Sequence, residues 1–269
     1  MLGRVTVMDG HSGLRVVSPA LLGIGGDWLP VTTGESGAFV FRSADAGRYA
    51  KCVPVADAAD LAAERDRIAW LSARAVPGQA VLDWYDIDTG ACLVTSAVHG
   101  VPADRLPAED LRASWDRIAD AVRRLHEVPV SQCPFHRGLD TMVTLARDVV
   151  ARDAVNPDFL PDEQQHAPPT DLLARLTRQV PRRREQEAGD TVVCHGDLCL
   201  PNIVLDPQTL DVSGFIDLGR LGRADRHADL ALLLANARET WPDEEQARAA
   251  DAAFAERYGI ALDQERLRF

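Results

Sequence analysis

Three oxygen-bearing side chains follow one another along the chain at a spacing that suits phosphoryl transfer. Asp197 comes directly after His195-Gly196, Asn202 follows five residues later, and Asp217 lies beyond a short hairpin-like connection. In kinase-type transfer an aspartate at the first position accepts the proton of the substrate hydroxyl, and the other two groups hold Mg²⁺. The spacing therefore predicts Asp197 as a catalytic base and Asn202 and Asp217 as magnesium ligands.

Each of these residues also has an ordinary structural interpretation. His-Gly-Asp is a common turn sequence, Asn202 suits the end of a strand, and Asp217 suits an Asx turn before Gly219. Mg²⁺, however, takes hard oxygen donors and usually only one or two of them from protein. Three unrelated turns would have to reproduce the spacing of a site by coincidence, so the catalytic interpretation is favoured.

A partly buried ion pair is predicted in the part of the chain that precedes these residues. Lys51 lies in the middle of an apolar segment, and Glu64 falls on the apolar face of the helical pattern that follows. Both charges are costly to bury alone, so an ion pair between them is expected, and in kinases such a pair aims the lysine at the α- and β-phosphates of ATP. The alternative is an edge-strand lysine with a solvated glutamate, which Arg65 or Arg67 could pair instead.

A glycine-rich turn precedes Lys51 along the chain. The backbone amides of Gly34–Ala38 and the Ser36 hydroxyl are placed where they could contact phosphates. The segment matches neither G-x-G-x-x-G nor a Walker A sequence, and an ordinary hairpin turn is the other interpretation.

The order of elements predicts an α+β, bilobal plan of the kinase type. From about Trp28 to Val98 the pattern is mostly strand-like, with a single helix predicted over Asp57–Ala75; after residue 100 it becomes helical. Residues 1–98 are expected to form a β-rich nucleotide-binding lobe, in which residues 1–25 have no assigned role. Residues 99–269 are expected to form a mostly helical lobe that carries the catalytic loop, the metal site and the acceptor pocket. The remaining predicted elements are strands at Ala38–Phe41, Tyr49–Val53, Ala91–Val94, Thr191–Cys194, Ile203–Leu205 and Val212–Ile216, and helices around Leu111–Leu125, over Thr141–Asp153 and Asp171–Glu187, and from Asp225 and Pro242.

Composition narrows the class of partner. There are 41 acidic against 29 basic residues and a net charge of −12, which argues against nucleic acid or an anionic membrane and favours a cationic small molecule. The acidic excess also serves solubility alone. No long apolar run or signal sequence is apparent and no obligate protein partner is indicated, so a cytoplasmic location is expected.

The five cysteines are an odd number without paired spacing, which predicts reduced thiols. A zinc site built on Cys194, His195 and Cys199 is the alternative, but no C-x-x-C or H-x-x-x-H pattern supplies the fourth ligand. This interpretation would make the chain a structural or metal-binding module.

The motif residues together resemble a known family. The run Cys194–Asp197, then Pro201-Asn202, Phe215–Gly222 and Ala224–Ala231 resembles the aminoglycoside phosphotransferases, and further segments are most similar to the branch that phosphorylates the 3''-hydroxyl of streptomycin. Those further segments are Trp28–Val31, Gly34–Gly37, Asn156–Glu163 and Val192–Asp197.

The resemblance implies a protein-kinase-like fold, ATP and Mg²⁺, and a site residue by residue. Asp197 would be the base, Asn202 and Asp217 the metal ligands, and Lys51, held by Glu64, the phosphate contact. Backbone groups of Ser96 and Val98 would receive the adenine, and Asp229 would be structural. Acidic residues of the helical lobe would bind the cationic acceptor, and the candidates are Asp153, Asp158, Asp162, Glu163 and Glu239. Each of these acids also has the interpretation of a solvated loop or helix-start residue.

The leading hypothesis is thus an ATP- and Mg²⁺-dependent kinase of the streptomycin 3''-hydroxyl that gives antibiotic resistance. A kinase of the same fold acting on another aminoglycoside, or on an amino alcohol such as choline or homoserine, is the alternative. A nucleotide-binding pseudokinase is a third hypothesis, against which the complete set of Lys51, Asp197, Asn202 and Asp217 argues.

Overall fold

The computed structural model describes residues 18–20, 23–31, 38–161 and 163–269. The described residues divide into two units, one containing those up to Arg65 together with Val81–Ala97, and the other containing Asp66–Ala80 and Val98–Phe269. Ser36 and Asp162, two of the predicted site residues, lie outside the described residues. No helix in the described part of the chain is long and apolar enough to cross a membrane.

The first unit is built on a five-stranded antiparallel sheet in the order β1-β2-β3-β5-β4. Its strands are β1 Trp28–Val31, β2 Phe39–Ser43, β3 Arg48–Pro54, β4 Val81–Ile87 and β5 Gly90–Ser96. Because side chains alternate along a strand, Ala50 and Cys52 enter the sheet's apolar core while Lys51 points to the other face. The helix after β3, α1 Ala58–Ser72, places Glu64 among its buried positions with only 6% of its surface exposed.

The second unit is mostly helical and contains two small sheets. Its strands pair as β10 with β7 and as β6-β8-β9. The strands are β6 Val101–Pro102, β7 Thr191–Cys194, β8 Ile203–Leu205, β9 Val212–Phe215 and β10 Gly222–Asp225, and the helices are α2 Ala108–His126, α3 Leu139–Ala151, α4 Pro169–Asp190, α5 Arg226–Ala237, α6 Glu244–Tyr258 and α7 Gln264–Leu267.

The apolar stripe of α2 forms the centre of this unit's core. Spacings of three and four residues place five apolar side chains on one face of this helix, and all five are buried: Leu111, Trp115, Ile118, Val122 and Leu125. Trp115 of this stripe contacts α6, donating its indole N–H to Ala250 O at 2.8 Å and packing on Phe254 with ring centroids 5.5 Å apart. The stripe therefore fixes α6, the helix that ends at Tyr258, against α2.

The observed elements differ from the predicted ones where strand pairing, and not the local residue pattern, determines the secondary structure. Strand β10 was not predicted, because Arg223 and Asp225 interrupt any apolar alternation, yet it pairs in register with β7 from Gly222 opposite Cys194 onward. Helix α4 begins earlier and ends later than predicted, since Pro169 is tolerated in a first turn. The five cysteines are free thiols, as predicted.

Candidate active site

The loop after β7 is held by a buried carboxylate from the start of α5. Asp229, 1% exposed, accepts the backbone N–H of His195 at 2.6 Å and that of Gly196 at 2.9 Å. Burial raises the pKa of Asp229, but the hydrogen bond from His126 and the charges and amides around it outweigh that effect, so the pKa lies below its usual range. The ionised carboxylate thus fixes the two residues that precede Asp197.

Asp229 is itself positioned by side chains from two other helices. His126, the last residue of α2, places Nε2 3.1 Å from Asp229 Oδ2 and Nδ1 2.7 Å from the hydroxyl of Tyr258. Burial raises the pKa of Tyr258 to about 12, which keeps this hydroxyl protonated. The carboxylate can only accept, so Nε2–H donates to Asp229, and Nδ1 accepts the Tyr258 hydroxyl.

Gly196 is required by the conformation of the loop. Its φ is +82°, and a Cβ at this position would lie 2.1 Å from the backbone oxygen of Arg220. Only glycine adopts this conformation and leaves room for that close approach. The glycine of the His-Gly-Asp motif is therefore a requirement of the loop backbone.

His195 connects the loop to the chain that leads into Asp217. Its Nε2 lies 3.0 Å from the backbone oxygen of Ile216, and its Nδ1 accepts the backbone N–H of Asp197 at 3.3 Å. The bond to a carbonyl requires the proton on Nε2, which leaves Nδ1 free to accept. Both ring nitrogens of His195 therefore bond to backbone groups at or next to the two aspartates of the motif.

Asn202 is placed beside both aspartates of the motif. Its side-chain Nδ2 donates to the backbone oxygen of Asp197 at 2.9 Å, and its own backbone oxygen accepts the N–H of Ile216 at 3.1 Å. Because the amide nitrogen is engaged, the amide oxygen is the end left for a ligand, and oxygen is the donor that Mg²⁺ prefers. The donor set of Asn202 and Asp217 therefore fits a magnesium ion.

Asp217 has an uncommon backbone conformation. Its φ of 58° and ψ of 57° are left-handed, and its backbone N–H donates to the side-chain Oε1 of Gln79 at 3.0 Å. A left-handed residue with a side chain needs such support. Gln79 was not singled out in the sequence, since 138 positions separate it from Asp217 and no local pattern connects them.

Arg220 is a second residue that the sequence analysis did not assign. Its guanidinium Nη1 lies 3.0 Å from Oδ1 of Asp197, and both side chains are partly exposed, at 57% and 27%. The sequence feature that could have indicated it is a basic residue three positions after Asp217, the candidate metal ligand. The candidate base therefore has a cation beside it.

The predicted ion pair in the first unit is present in the structure. Lys51 Nζ lies 2.8 Å from Glu64 Oε2, with the two side chains 22% and 8% exposed. Ser96 is the last residue of β5 and Val98 follows it closely in the chain, and both are half-buried. The contact of these residues with a nucleotide stays a prediction.

The acids predicted for the acceptor are exposed where they are described. Asp153 follows α3 with a φ of 51°, and Asp158 lies in the turn Pro157–Phe159, where its backbone N–H donates to the side chain of Asn156. Glu239 lies in the turn between α5 and α6, and Glu163 is exposed as well. Their role in binding stays a prediction.

Two of the three residues of the alternative zinc site, His195 and Cys194, are engaged in other contacts. Both ring nitrogens of His195 bond to backbone, and Cys194 is buried with Sγ 3.4 Å from the oxygen of Asp225. Across the described residues, one group of three potential ligand atoms lies within 4.8 Å, from His126, Cys194 and Asp229. Two of these three already bond to each other, so the cluster is a hydrogen-bonded support of the loop.

Sequence comparison relates this chain to known phosphotransferases. The model of the Phosphotransferase enzyme family (APH) matches residues 24–269. The chain is 74% identical over 262 residues to a streptomycin 3''-kinase of Streptomyces griseus, an alignment that covers 97% of this chain and 96% of the relative. It is 43% identical to an aminoglycoside 3'-phosphotransferase of Streptomyces fradiae, over 90% and 92% of the two chains.

A solved structure of an aminoglycoside phosphotransferase is also similar to this chain. Aminoglycoside phosphotransferase APH(3'')-Id from Streptomyces rimosus, in complex with ADP and streptomycin, superposes with a TM-score of 0.88 at 62% identity over 93% of both chains. With the antiparallel sheet and helical remainder described above, this similarity confirms the predicted α+β, protein-kinase-like fold.

Proposed function

Since this chain belongs to the phosphotransferase enzyme family, we propose that it transfers the γ-phosphoryl group of ATP to the 3''-hydroxyl of streptomycin and so inactivates the antibiotic. The observation that carries the proposal is the 74% identity, over nearly the whole chain, to a protein named streptomycin 3''-kinase. The loop that holds Asp197 supports it independently, because its hydrogen bonds arrange the residues that phosphoryl transfer requires.

Asp197 is the proposed catalytic base. Its carboxylate orients the acceptor hydroxyl and takes its proton as the phosphoryl group arrives. The backbone around it is fixed by hydrogen bonds with Asp229 and Asn202, which limits the directions that the carboxylate can take. Arg220 holds one of its oxygens before the acceptor is bound.

Asn202 and Asp217 are the proposed magnesium ligands. A bound Mg²⁺ would neutralise charge on the β- and γ-phosphates. The two side chains supply one amide oxygen and one carboxylate. Mg²⁺ usually takes only one or two groups from the protein, so these two are sufficient.

The nucleotide is proposed to bind through residues of the β-rich lobe, taken as 1–98. Lys51, oriented by Glu64, would contact the α- and β-phosphates, Ser36 a phosphate, and backbone groups of Ser96 and Val98 the adenine. The ion pair supports this role, because Glu64 fixes the direction of a lysine that is only 22% exposed.

The acceptor is proposed to bind to the helical lobe, taken as 99–269, through carboxylates. The candidates are Asp153, Asp158, Asp162, Glu163 and Glu239. Carboxylates receive guanidinium groups in bidentate geometry, and streptomycin offers such groups. A net charge of −12 favours the approach of a polycation, and the cytoplasm is the proposed location.

The test is to incubate the purified protein with Mg-ATP and, separately, streptomycin, kanamycin, choline and homoserine. A phosphate mass gain on streptomycin, placed at the 3''-hydroxyl by NMR, is expected. A gain on kanamycin alone would instead support a 3'-phosphotransferase like the relative that is 43% identical. A gain only on choline or homoserine would overturn the proposal, and the absence of ATP turnover would favour a pseudokinase.

A further inference from the structure

The backbone of the candidate metal-binding aspartate is held by a side chain far away in sequence. Oε1 of Gln79 accepts the N–H of Asp217 at 3.0 Å, across 138 positions. Both residues belong to the second unit, and both side chains are half-buried. Partial exclusion of water strengthens the bond and makes its loss more costly.

Gln79 is placed by a close backbone contact between its own loop and β9. Phe215, the last residue of β9, donates its N–H to Pro77 O at 3.1 Å, and its oxygen accepts the N–H of Gln79 at 3.4 Å. Gly78 lies opposite Phe215 as a parallel bridge, where an added Cβ would be 2.9 Å from the Phe215 oxygen. A Cβ on Gly214 would in turn lie 2.8 Å from the Cα of Gly78. Two glycines therefore permit the contact that brings Gln79 beside Asp217.

The hydrogen bond from Asp217 to Gln79 forms at the residue where the backbone turns into a left-handed conformation. Strand β9 ends at Phe215, and two residues later Asp217 turns into the left-handed region with a φ of 58°. This conformation is unfavourable for a residue with a Cβ unless neighbouring groups stabilise it. The direction of the Asp217 side chain follows from this turn, since Cα and its substituents rotate with φ and ψ.

We infer that Gln79 is a positioning residue for the metal site: its side-chain carbonyl fixes the left-handed turn at Asp217 and thereby the direction of the Asp217 carboxylate. The inference rests on the proposed function only in taking Asp217 as a magnesium ligand. It assigns Gln79 no contact with substrate or metal. Partners that orient a metal ligand affect affinity by about tenfold or more when they are removed.

The experiment measures metal binding directly. Mn²⁺ is titrated by EPR into the full-length protein saturated with ADP, for wild type, Gln79→Leu, Gln79→Met and Gln79→Glu, with Gln208→Leu as the matched control. Gln208 lies in the exposed turn between β8 and β9. Leucine and methionine lack the carbonyl acceptor, whereas glutamate keeps an acceptor oxygen at the same place.

Gln79→Leu and Gln79→Met are expected to raise the Kd for Mn²⁺ by about tenfold or more, and Gln79→Glu and Gln208→Leu to leave it no weaker than in wild type. The Mg²⁺ concentration for half-maximal phosphorylation should rise in the same two variants, while the KM for streptomycin stays unchanged. Should Gln79→Leu fail to fold, Gln79→Met decides.

Unchanged Mn²⁺ affinity in the folded Leu or Met variant overturns the inference, as does a glutamate variant as weak as leucine. These outcomes are separate from a failure of the proposed function. A wild-type protein that binds Mn²⁺ with ADP but does not phosphorylate streptomycin would overturn the assigned acceptor and leave the role of Gln79 standing.

Discussion

At the scale of single residues, the candidate base is distinguished by what surrounds it. Asp197 follows a histidine and a glycine whose backbone amides are both bound by Asp229, and its own carbonyl is bound by Asn202. These contacts engage backbone only, so the Asp197 carboxylate is left for Arg220 and for an acceptor. A change in that carboxylate should therefore affect chemistry more than structure.

The first prediction concerns Asp197→Asn. The amide cannot accept a proton, and general-base catalysis contributes roughly 10²–10⁴ in rate, so kcat should fall by about 100-fold or more while nucleotide binding is kept. Single-turnover kinetics with streptomycin and ADP titration by calorimetry measure the two quantities. Asp88→Asn, at an exposed turn, is the control. A variant with near-normal kcat would show that Asp197 is not the base.

A second residue-scale prediction concerns Gly196→Ala. The added Cβ would meet the Arg220 oxygen at 2.1 Å in a left-handed residue, so unfolding free energy should fall by about 2 kcal/mol or more. Gly189→Ala is the matched control, because a Cβ there meets nothing within 4 Å. Denaturant titration compares the two. Equal stability of both variants would contradict the described loop conformation.

At the scale of elements, the start of α5 carries two separate supports. Asp229 binds the catalytic loop, and Asp225, the N-cap of α5, binds the N–H of His227 and the guanidinium of Arg266 from α7. Arg266 also binds Asp190 at the end of α4 at 2.6 Å. One arginine thus ties α7 to the ends of α4 and β10.

The third prediction is a pH dependence of stability. Burial raises the pKa of Asp225, but His227 and Arg266 outweigh it and lower the pKa from 3.8 to about 2. The folded state therefore favours the carboxylate: its stabilisation is complete above pH of about 4 and is lost as the pH falls toward about 2. Between about pH 6 and about pH 3 the loss amounts to roughly 1 kcal/mol from this group.

Asp225→Asn should remove that part of the acid sensitivity. Urea unfolding at the two pH values measures it, with Asp88→Asn as control. The variant is expected to be less stable at neutral pH, and its stability should decline less on acidification. An unchanged difference between the two pH values would contradict the ion pair with Arg266.

At the scale of the whole molecule, charge is the property most relevant to a cationic acceptor. The net charge is −12, and the candidate acceptor-binding acids that the structure describes are exposed. Attraction between exposed charges is screened by salt, with a Debye length near 10 Å at about 0.1 M ionic strength.

The fourth prediction is that salt weakens acceptor binding. Raising NaCl from about 50 mM to about 500 mM should increase the KM for streptomycin several-fold and leave kcat nearly unchanged, because the base and its supports are half-buried or buried. Steady-state kinetics at saturating Mg-ATP measures it. A KM that is independent of salt would mean that shape, not charge, dominates recognition.

The sequence predicts features that arise from residues close together in the chain better than contacts between residues far apart in it. The strands Thr191–Cys194 and Ile203–Leu205, the buried stripe of α2 and the Lys51–Glu64 pair follow from local alternation, periodicity and the cost of an unpaired charge. The residues that support the loop around Asp197 and the turn at Asp217 do not follow from such local patterns. His126 meets Asp229 across 103 positions and Gln79 meets Asp217 across 138, and such meetings are decided by how the elements pack. Motif spacing thus located the candidate chemical groups but not the residues that hold them.

The anchoring of the loop through Asp229 bears on how such a chain diversifies. Residues that fix the base are buried and bonded on several sides, whereas the described candidates for acceptor recognition are exposed. Exposed positions tolerate substitution with little loss of stability, and buried hydrogen-bonded ones do not. The candidate acceptor-binding positions and the positions that hold the candidate base therefore differ in mutational tolerance, so we expect selection by a new antibiotic to change the first group without disrupting the second.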